Sequence, residues 1–248
     1  MKFGLCGSLD EAPLILEAGF DYVEGWAANL FSPTVEPDAR VANSRIIRTN
    51  GFFGGDVKIY DSTQAAIDRG VATALNAAEA GVELMVVGSG GARRAPEGAP
   101  TSAYTAIFMS VVGAIQASVG DQIILAPEPL NRFECNVGTD LSEMAALSEV
   151  VGCKYCADSY HVLKEWAEDE VPATIQNWRL AMPFAPAHVH ISGGDRKPPR
   201  ADDPDLQTFV ARLKEFGYDG TVSVEASREA TLESFQAILA ELRTLFAN

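Results

Sequence analysis

Eight times along the chain, a short apolar run gives way to a stretch of helical spacing or a long loop. Such strand–helix alternation predicts a parallel sheet, because each parallel strand has to be reached by a crossover connection. The apolar runs fall at residues 2–6, 20–24, 51–53, 82–87, 122–126, 153–157, 187–191 and 220–224. Helical spacing is read over 11–18, 36–48, 62–80, 101–119, 141–150, 162–180 with a break at Pro172, 205–216 and 232–246. Gly19, Gly81, Gly120 and Gly217 stand just past four of these stretches, where a left-handed residue ends a helix. In the last helix Leu232, Phe235, Ile238, Leu239 and Leu242 share one face.

Eight such units in 248 residues predict an α/β protein whose residues 1–248 form a single (β/α)8 TIM-barrel domain. An open doubly wound sheet is the weaker reading, since Gly7-Ser8 after the first strand does not supply the G-x-G-x-x-G turn of a dinucleotide fold. There is no internal repeat, linker or low-complexity tract.

The charge balance narrows the partners. Thirty-four Asp and Glu against 19 Lys and Arg give a net charge of −15. That disfavours nucleic acid and anionic membranes, which bind through clustered Lys and Arg, and leaves a neutral substrate or a divalent cation open. The four cysteines are too sparse and irregular for a disulfide framework. Cys153 and Cys156 form a CxxC, but structural zinc needs a second ligand pair and a redox motif normally opens a helix. The start, MKFGLCGSLDEAP, lacks the apolar core of a signal peptide. No apolar run is read as approaching the roughly 18 residues of a membrane span, so the expected address is the cytoplasm.

In a barrel, function lies where the strands end. The fifth strand runs to Glu128, the sixth to Asp158, the seventh carries His188 and His190, and the eighth runs to Glu225. Side chains alternate along a strand, so Ser223 and Glu225 face one way while Val222 and Val224 face the helices. By the same period Ile124, Ala126 and Glu128 share a face. Three carboxylates buried together are costly unless they are protonated or share a cation. A Glu128, Asp158, His190, Glu225 set offers three hard oxygens and one imidazole, which suits Mn2+, Mg2+ or Co2+ better than structural zinc. Only one histidine of the pair need bind metal; His188 either contacts substrate or orients its neighbour.

These motifs resemble the sugar phosphate isomerase/epimerases of the xylose isomerase-like barrels, and among them the ketose 3-epimerases. Glu128 and Glu134 in EPLNRFE are similar to that family's metal glutamate and substrate-side glutamate. Asp158 and His161 in DSYH are similar to its metal aspartate and a substrate-contacting histidine. His190 and Arg196 in HISGGDR match the metal histidine and a substrate-gripping arginine, and Glu225 in VSVE the last metal glutamate. The chain departs from the pattern at RKPPRADDP, where family members often carry a Pro-Gly-x-Gly turn.

The resemblance implies a metal-dependent isomerase or epimerase of a ketose or keto-polyol. The ion, most readily Mn2+, would stabilise the enediolate formed when a proton beside the carbonyl leaves. Glu128 and Glu225 would take and return that proton on opposite faces, while Glu134, His161 and Arg196 position hydroxyls. The partner implied is a small sugar, and a homo-oligomer is compatible with the fold.

A lyase of the same fold, inosose dehydratase-like or eliminating from 3-keto-glycosides, begins with the same proton abstraction and is the alternative. A repair endonuclease needs more histidines and a basic groove; a non-catalytic sugar-binding barrel would have no rate to lose. Weaker signals stay open. The stretch from Gly88 to Arg94 either cradles a phosphate or is a mouth loop, and Glu24 either faces substrate or does not. Trp26, Phe31, Phe52 and Phe53 either wall a pocket or pack in loops. The acidic run 165–170 reads as a solvated helix face.

Overall fold

Parallel strands buried on both sides need branched apolar residues at successive positions. Apolar residues fill β4 (Leu84–Val87), while β7 (His188–Ile191) and β8 (Thr221–Val224) alternate Val or Ile with His, Thr or Ser; all three are buried throughout. The computed structural model describes residues 1–247. Its strands are β1 (Lys2–Cys6), β2 (Tyr22–Trp26), β3 (Ile46–Asn50), β4, β5 (Ile124–Pro127), β6 (Cys156–Asp158), β7 and β8. The helices are α1 (Ala12–Glu17), α2 (Ala27–Leu30), α3 (Thr63–Glu79), α4 (Gly90–Arg93), α5 (Thr101–Val119), α6 (Leu141–Val150), α7 (Ser159–Glu168), α8 (Ile175–Ala181), α9 (Pro204–Glu215) and α10 (Leu232–Ala247).

All the strand pairs are parallel, in the order β5-β4-β3-β2-β1-β8-β7-β6. The sheet curls into a nearly closed TIM barrel with the helices between successive strands, as the alternation predicts. β5 and β6 are its edges. Across that seam the Lys154 amide, just before β6, donates to the Leu125 carbonyl of β5 at 3.1 Å.

Local chemistry sets the helix ends. The Asp203 side chain accepts from the amides of Asp205 and Leu206, Pro204 opens α9, and Arg212 and Lys214 lie in its last turn. Asp140 caps α6 through the Glu143 amide, and Ser62 caps α3 through that of Ala65. The core is mostly the shell between strands and helices. Inside the barrel, Leu84, Val86, Ala126 and Cys156 fill one side. On the other, the Tyr22 hydroxyl meets that of Ser223 at 2.8 Å. Tyr22 fits because its neighbour on β1 is Gly4, where a Cβ would lie 2.2 Å from the Tyr22 ring.

Two expectations fail between β2 and α3. Residues 36–48 are not a helix; Ala39–Asn43 form a 3-10 turn capped by Asp38. The third strand is Ile46–Asn50 instead of 51–53. The β-branched Ile46, Ile47 and Thr49 favour extended backbone, and Gly51, at φ 54°, turns the chain away. Phe52 and Phe53 pack edge to face at 4.7 Å in the following loop, both buried.

Helix α5 corrects another expectation. Thr101–Gln122 is long and apolar enough, by length and composition, to cross a membrane. Its Phe108, Met109, Val112 and Ile115 are buried, and the helix packs on α3 and β5.

Candidate functional site

The C-terminal ends of β5 to β8 and β2 converge at one mouth. Glu128 follows β5 directly, and its amide donates to Val87 of β4, which aims the side chain inward. The Arg93 guanidinium grips the Glu128 carbonyl at 2.8 Å. Asp158 ends β6, where its side chain also accepts from the Tyr160 amide and caps α7. His190 stands in register with Asp158 on one side and Ser223 on the other. Glu225 follows β8, with its amide donating to Ile191.

One oxygen from each of Glu128, Asp158 and Glu225 and one His190 nitrogen lie within 4.8 Å of one another. His190 Nδ1 is 2.8 Å from Glu128 Oε1 and 3.3 Å from Glu225 Oε2. The four expected residues are therefore brought to a single point.

Arg196 bridges two of them. Its Nη1 donates to Asp158 Oδ2 and its Nη2 to Glu225 Oε2, both at 2.8 Å. The guanidinium stacks 4.4 Å from the centre of the Tyr160 ring. Arg196 itself holds φ at 61°, an unusual backbone state for a non-glycine residue. Its carbonyl accepts from the Ser227 amide at 2.8 Å, which ties the loops after β7 and β8 together.

His161 is buried on α7. Its Nδ1 accepts from the Asn131 amide at 3.1 Å and meets the Asn131 side-chain nitrogen at 2.9 Å. Its Nε2 lies 3.6 Å from Asp158 Oδ2. Glu134 is exposed at the rim, 3.3 Å from Asn131 Nδ2. His188 behaves differently: it is fully buried beneath His190, with Nδ1 2.8 Å from Thr221 Oγ1 and Nε2 2.9 Å from Glu24 Oε2. Both ring nitrogens are engaged inside the protein, so substrate contact by His188 is corrected to the orienting alternative.

Charge couples these groups. Burial works against ionisation of Glu225, yet His190 and Arg196 hold its carboxyl down at about 2. Burial likewise opposes the charged form of Glu24, but His190 and His188 pull it well below the usual carboxylate range. For His190, burial disfavours the cation, while Cys156, Glu24, Glu128 and Glu225 around it raise its pKa well above the imidazole value. Four carboxyl groups, Glu24, Glu128, Asp158 and Glu225, thus gather with the Arg196 guanidinium and the imidazoles of His161, His188 and His190.

Beside this cluster a cavity of about 500 Å3 is lined by Ser8, Glu24, Trp26, Asn29, Asn50 and Glu225, within the size range of small-molecule sites. Trp26 is half exposed there, whereas Phe31, Phe52 and Phe53 are loop packing. Asn50 Nδ2 donates to Glu225 Oε1 at 3.0 Å. Asn50 was hidden from sequence reasoning by the misplaced third strand; an Asn closing the β-branched run from Ile46 was the available signal. The Gly88 to Arg94 segment is no anion cradle here: Arg93 is buried over Phe108, and Arg94 donates to the Glu134 carbonyl.

Residues 13–245 match the family described as xylose isomerase-like TIM barrel. The fold also matches solved structures. A D-psicose 3-epimerase, solved in the presence of D-fructose, aligns over all of both chains with a TM-score of 0.81 and 19% identity. An L-ribulose 3-epimerase aligns over 99% of this chain and 94% of its own, with a TM-score of 0.78 and 15% identity. A 3-keto-D-glucoside 4-epimerase from E. coli aligns over 98% and 99%, with a TM-score of 0.73 and 18% identity.

Proposed function

The chain belongs to the xylose isomerase-like TIM barrel family, and on that footing we propose that it is a divalent-metal-dependent sugar epimerase or isomerase acting on a ketose or keto-sugar. The observation that carries this reading is the meeting of Glu128, Asp158, His190 and Glu225 within 4.8 Å. The donor set fits a hard divalent ion. Octahedral ligands at about 2.1 Å from a metal stand about 3.0 Å apart when adjacent and about 4.2 Å when opposite. Structural neighbours that are ketose 3-epimerases support the substrate class.

Glu128, Asp158, His190 and Glu225 would hold the ion. When bound, it supplies a Lewis acid that draws charge from neighbouring substrate oxygens and makes the adjacent C–H more acidic. Glu128 and Glu225 then divide the proton work, one removing the proton from one face of the carbon and the other delivering one to the opposite face, which inverts it. Arg196 braces Asp158 and Glu225 and presents its planar fork to sugar oxygens. His161 and Glu134 orient hydroxyls from the α7 side and the rim. Asn50 donates to Glu225 Oε1, while Oε2 stays beside Arg196 and His190. Trp26 offers an apolar face for sugar C–H groups.

The test is an assay of ketohexoses and 3-keto-glycosides in D2O, with chelator-treated protein and with Mn2+, Mg2+ or Co2+ restored. Activity lost to chelator, regained with metal, and one deuterium entering carbon without loss of water is the expected result. An ultraviolet-absorbing enone product would replace this reading with the lyase. Absence of turnover, together with unchanged sugar affinity in Glu128→Gln, would reduce the chain to a binding protein.

A further inference from the structure

We propose that Glu24 is a positioning residue for the metal ion, holding hydrogen on His190 Nε2 so that Nδ1, which faces Glu128 and Glu225, is the nitrogen the ion would take. The inference rests on the metal reading above and extends it to residues outside the four donors.

The hydrogen-bond directions can be followed from one end. Arg48 Nε can only donate, and it does so to Thr221 Oγ1 at 3.2 Å. The Thr221 hydroxyl is then free to donate its own hydrogen to His188 Nδ1, 2.8 Å away. An imidazole that accepts at Nδ1 carries its hydrogen at Nε2. That hydrogen points to Glu24 Oε2 at 2.9 Å. Glu24 has its other oxygen, Oε1, 2.8 Å from His190 Nε2. An ionised carboxylate only accepts, so His190 carries hydrogen at Nε2, and Nδ1 is the nitrogen left for an ion to take. In the metal-free protein Nδ1 donates to Glu128 Oε1 at 2.8 Å, with Glu225 Oε2 at 3.3 Å, and a bound ion would displace that hydrogen.

The array is rigid as well as directional. Glu24, His188 and His190 side chains are all fully buried, and the two rings stand nearly perpendicular at 86°. Glu24 therefore clamps both rings with one carboxylate. Its charge also makes the His190 imidazole a better donor, as carboxylates behind metal-bound histidines do.

Glutamine at position 24 keeps the shape but changes the directions. Its carbonyl can accept from one ring only, while its amide group donates to the other and reverses that ring's tautomer. Alanine removes the clamp altogether.

Titration of metal-free protein with Mn2+, reading the free ion by electron paramagnetic resonance, tests the proposal. Melting of the metal-free proteins is followed by circular dichroism in parallel. Expected are one site in the wild type, a Kd weaker by about tenfold in Glu24→Gln and by about 100-fold in Glu24→Ala. Variants that melt earlier yet bind Mn2+ with wild-type affinity would show a purely structural residue and overturn the proposal. If Glu24→Ala does not fold, Glu24→Gln decides: unchanged affinity there overturns it equally. A wild type that binds no Mn2+ brings down the metal reading, and this inference with it. That outcome is separate, because it is read before any variant is made.

Discussion

Gly88 and Glu128 are in contact through the space a side chain would need: a Cβ at Gly88 would stand 2.5 Å from Glu128 Oε2. Gly88 follows β4, so the neighbouring stave is trimmed to let the Glu128 carboxylate into the mouth. Gly88→Ala would push that carboxylate off its 2.8 Å contact with His190. The expected result is a folded protein with kcat/KM lower by about 100-fold, in keeping with an ångström-scale misplacement. Steady-state kinetics on the turned-over sugar, with a circular dichroism spectrum for the fold, checks it; wild-type rates would refute the close fit.

Arg196 ties Asp158 to Glu225 with two separate nitrogens. A lysine has one charged tip and can reach only one of them. Arg196→Lys is expected to raise KM about tenfold, and Arg196→Ala to lower kcat/KM by about 100-fold. Equal kcat/KM in all three proteins would remove Arg196 from the site's working parts.

A pH effect is expected far from the mouth. Hydrogen bonds from Arg179 and Arg212 hold the Glu215 carboxyl at about 2, below its ordinary 4.5. Arg212 in turn reaches the Met182 carbonyl just past α8 at 2.6 Å. A depressed carboxyl stabilises the fold fully above its unfolded pKa and loses that contribution as pH falls toward the folded one. Glu215→Gln should therefore melt below the wild type at neutral pH, with the gap closing between about pH 4.5 and pH 2. Thermal melts across that range decide it; a gap independent of pH would mean that the charge plays no part.

The CxxC should be chemically quiet. Burial pushes the Cys153 thiol up to about 12 and raises Cys156 well above the ordinary thiol value. All four cysteines are free, and Cys6 is the one that is not buried. Thiolate is the reactive form, so Ellman's reagent at pH 8 should titrate at most Cys6 in native protein and all four after denaturation. Rapid labelling of Cys153 in the folded state would contradict this.

The helices and the inward face of each strand were legible wherever period and caps agreed, as in α6, which spans the expected residues 141–150. Glu128 and Glu225 stood out because alternation aims them away from valine- and leucine-lined faces. Asn50 was not legible, since Gly51-Phe52-Phe53 looks extended in one dimension and only tertiary packing turns both rings into a loop. Arg93 misled for a similar reason: beside glycines it reads as an anion ligand, and Phe108, fifteen positions away, is what draws it inside. The Glu24 clamp needed β2 and β7, more than 160 residues apart, to meet, so the two histidines of AHVHIS could not be told apart from spacing alone.

The seam between β5 and β6 has a mechanical consequence. Glu128 hangs on one lip of that slit and Asp158 on the other. An ion gripped by both would act as a rivet, converting a curled sheet into a hoop. Without such an ion the protein should breathe there first, with amides around Leu125 and Lys154 trading hydrogen for deuterium sooner than those of β1 or β8.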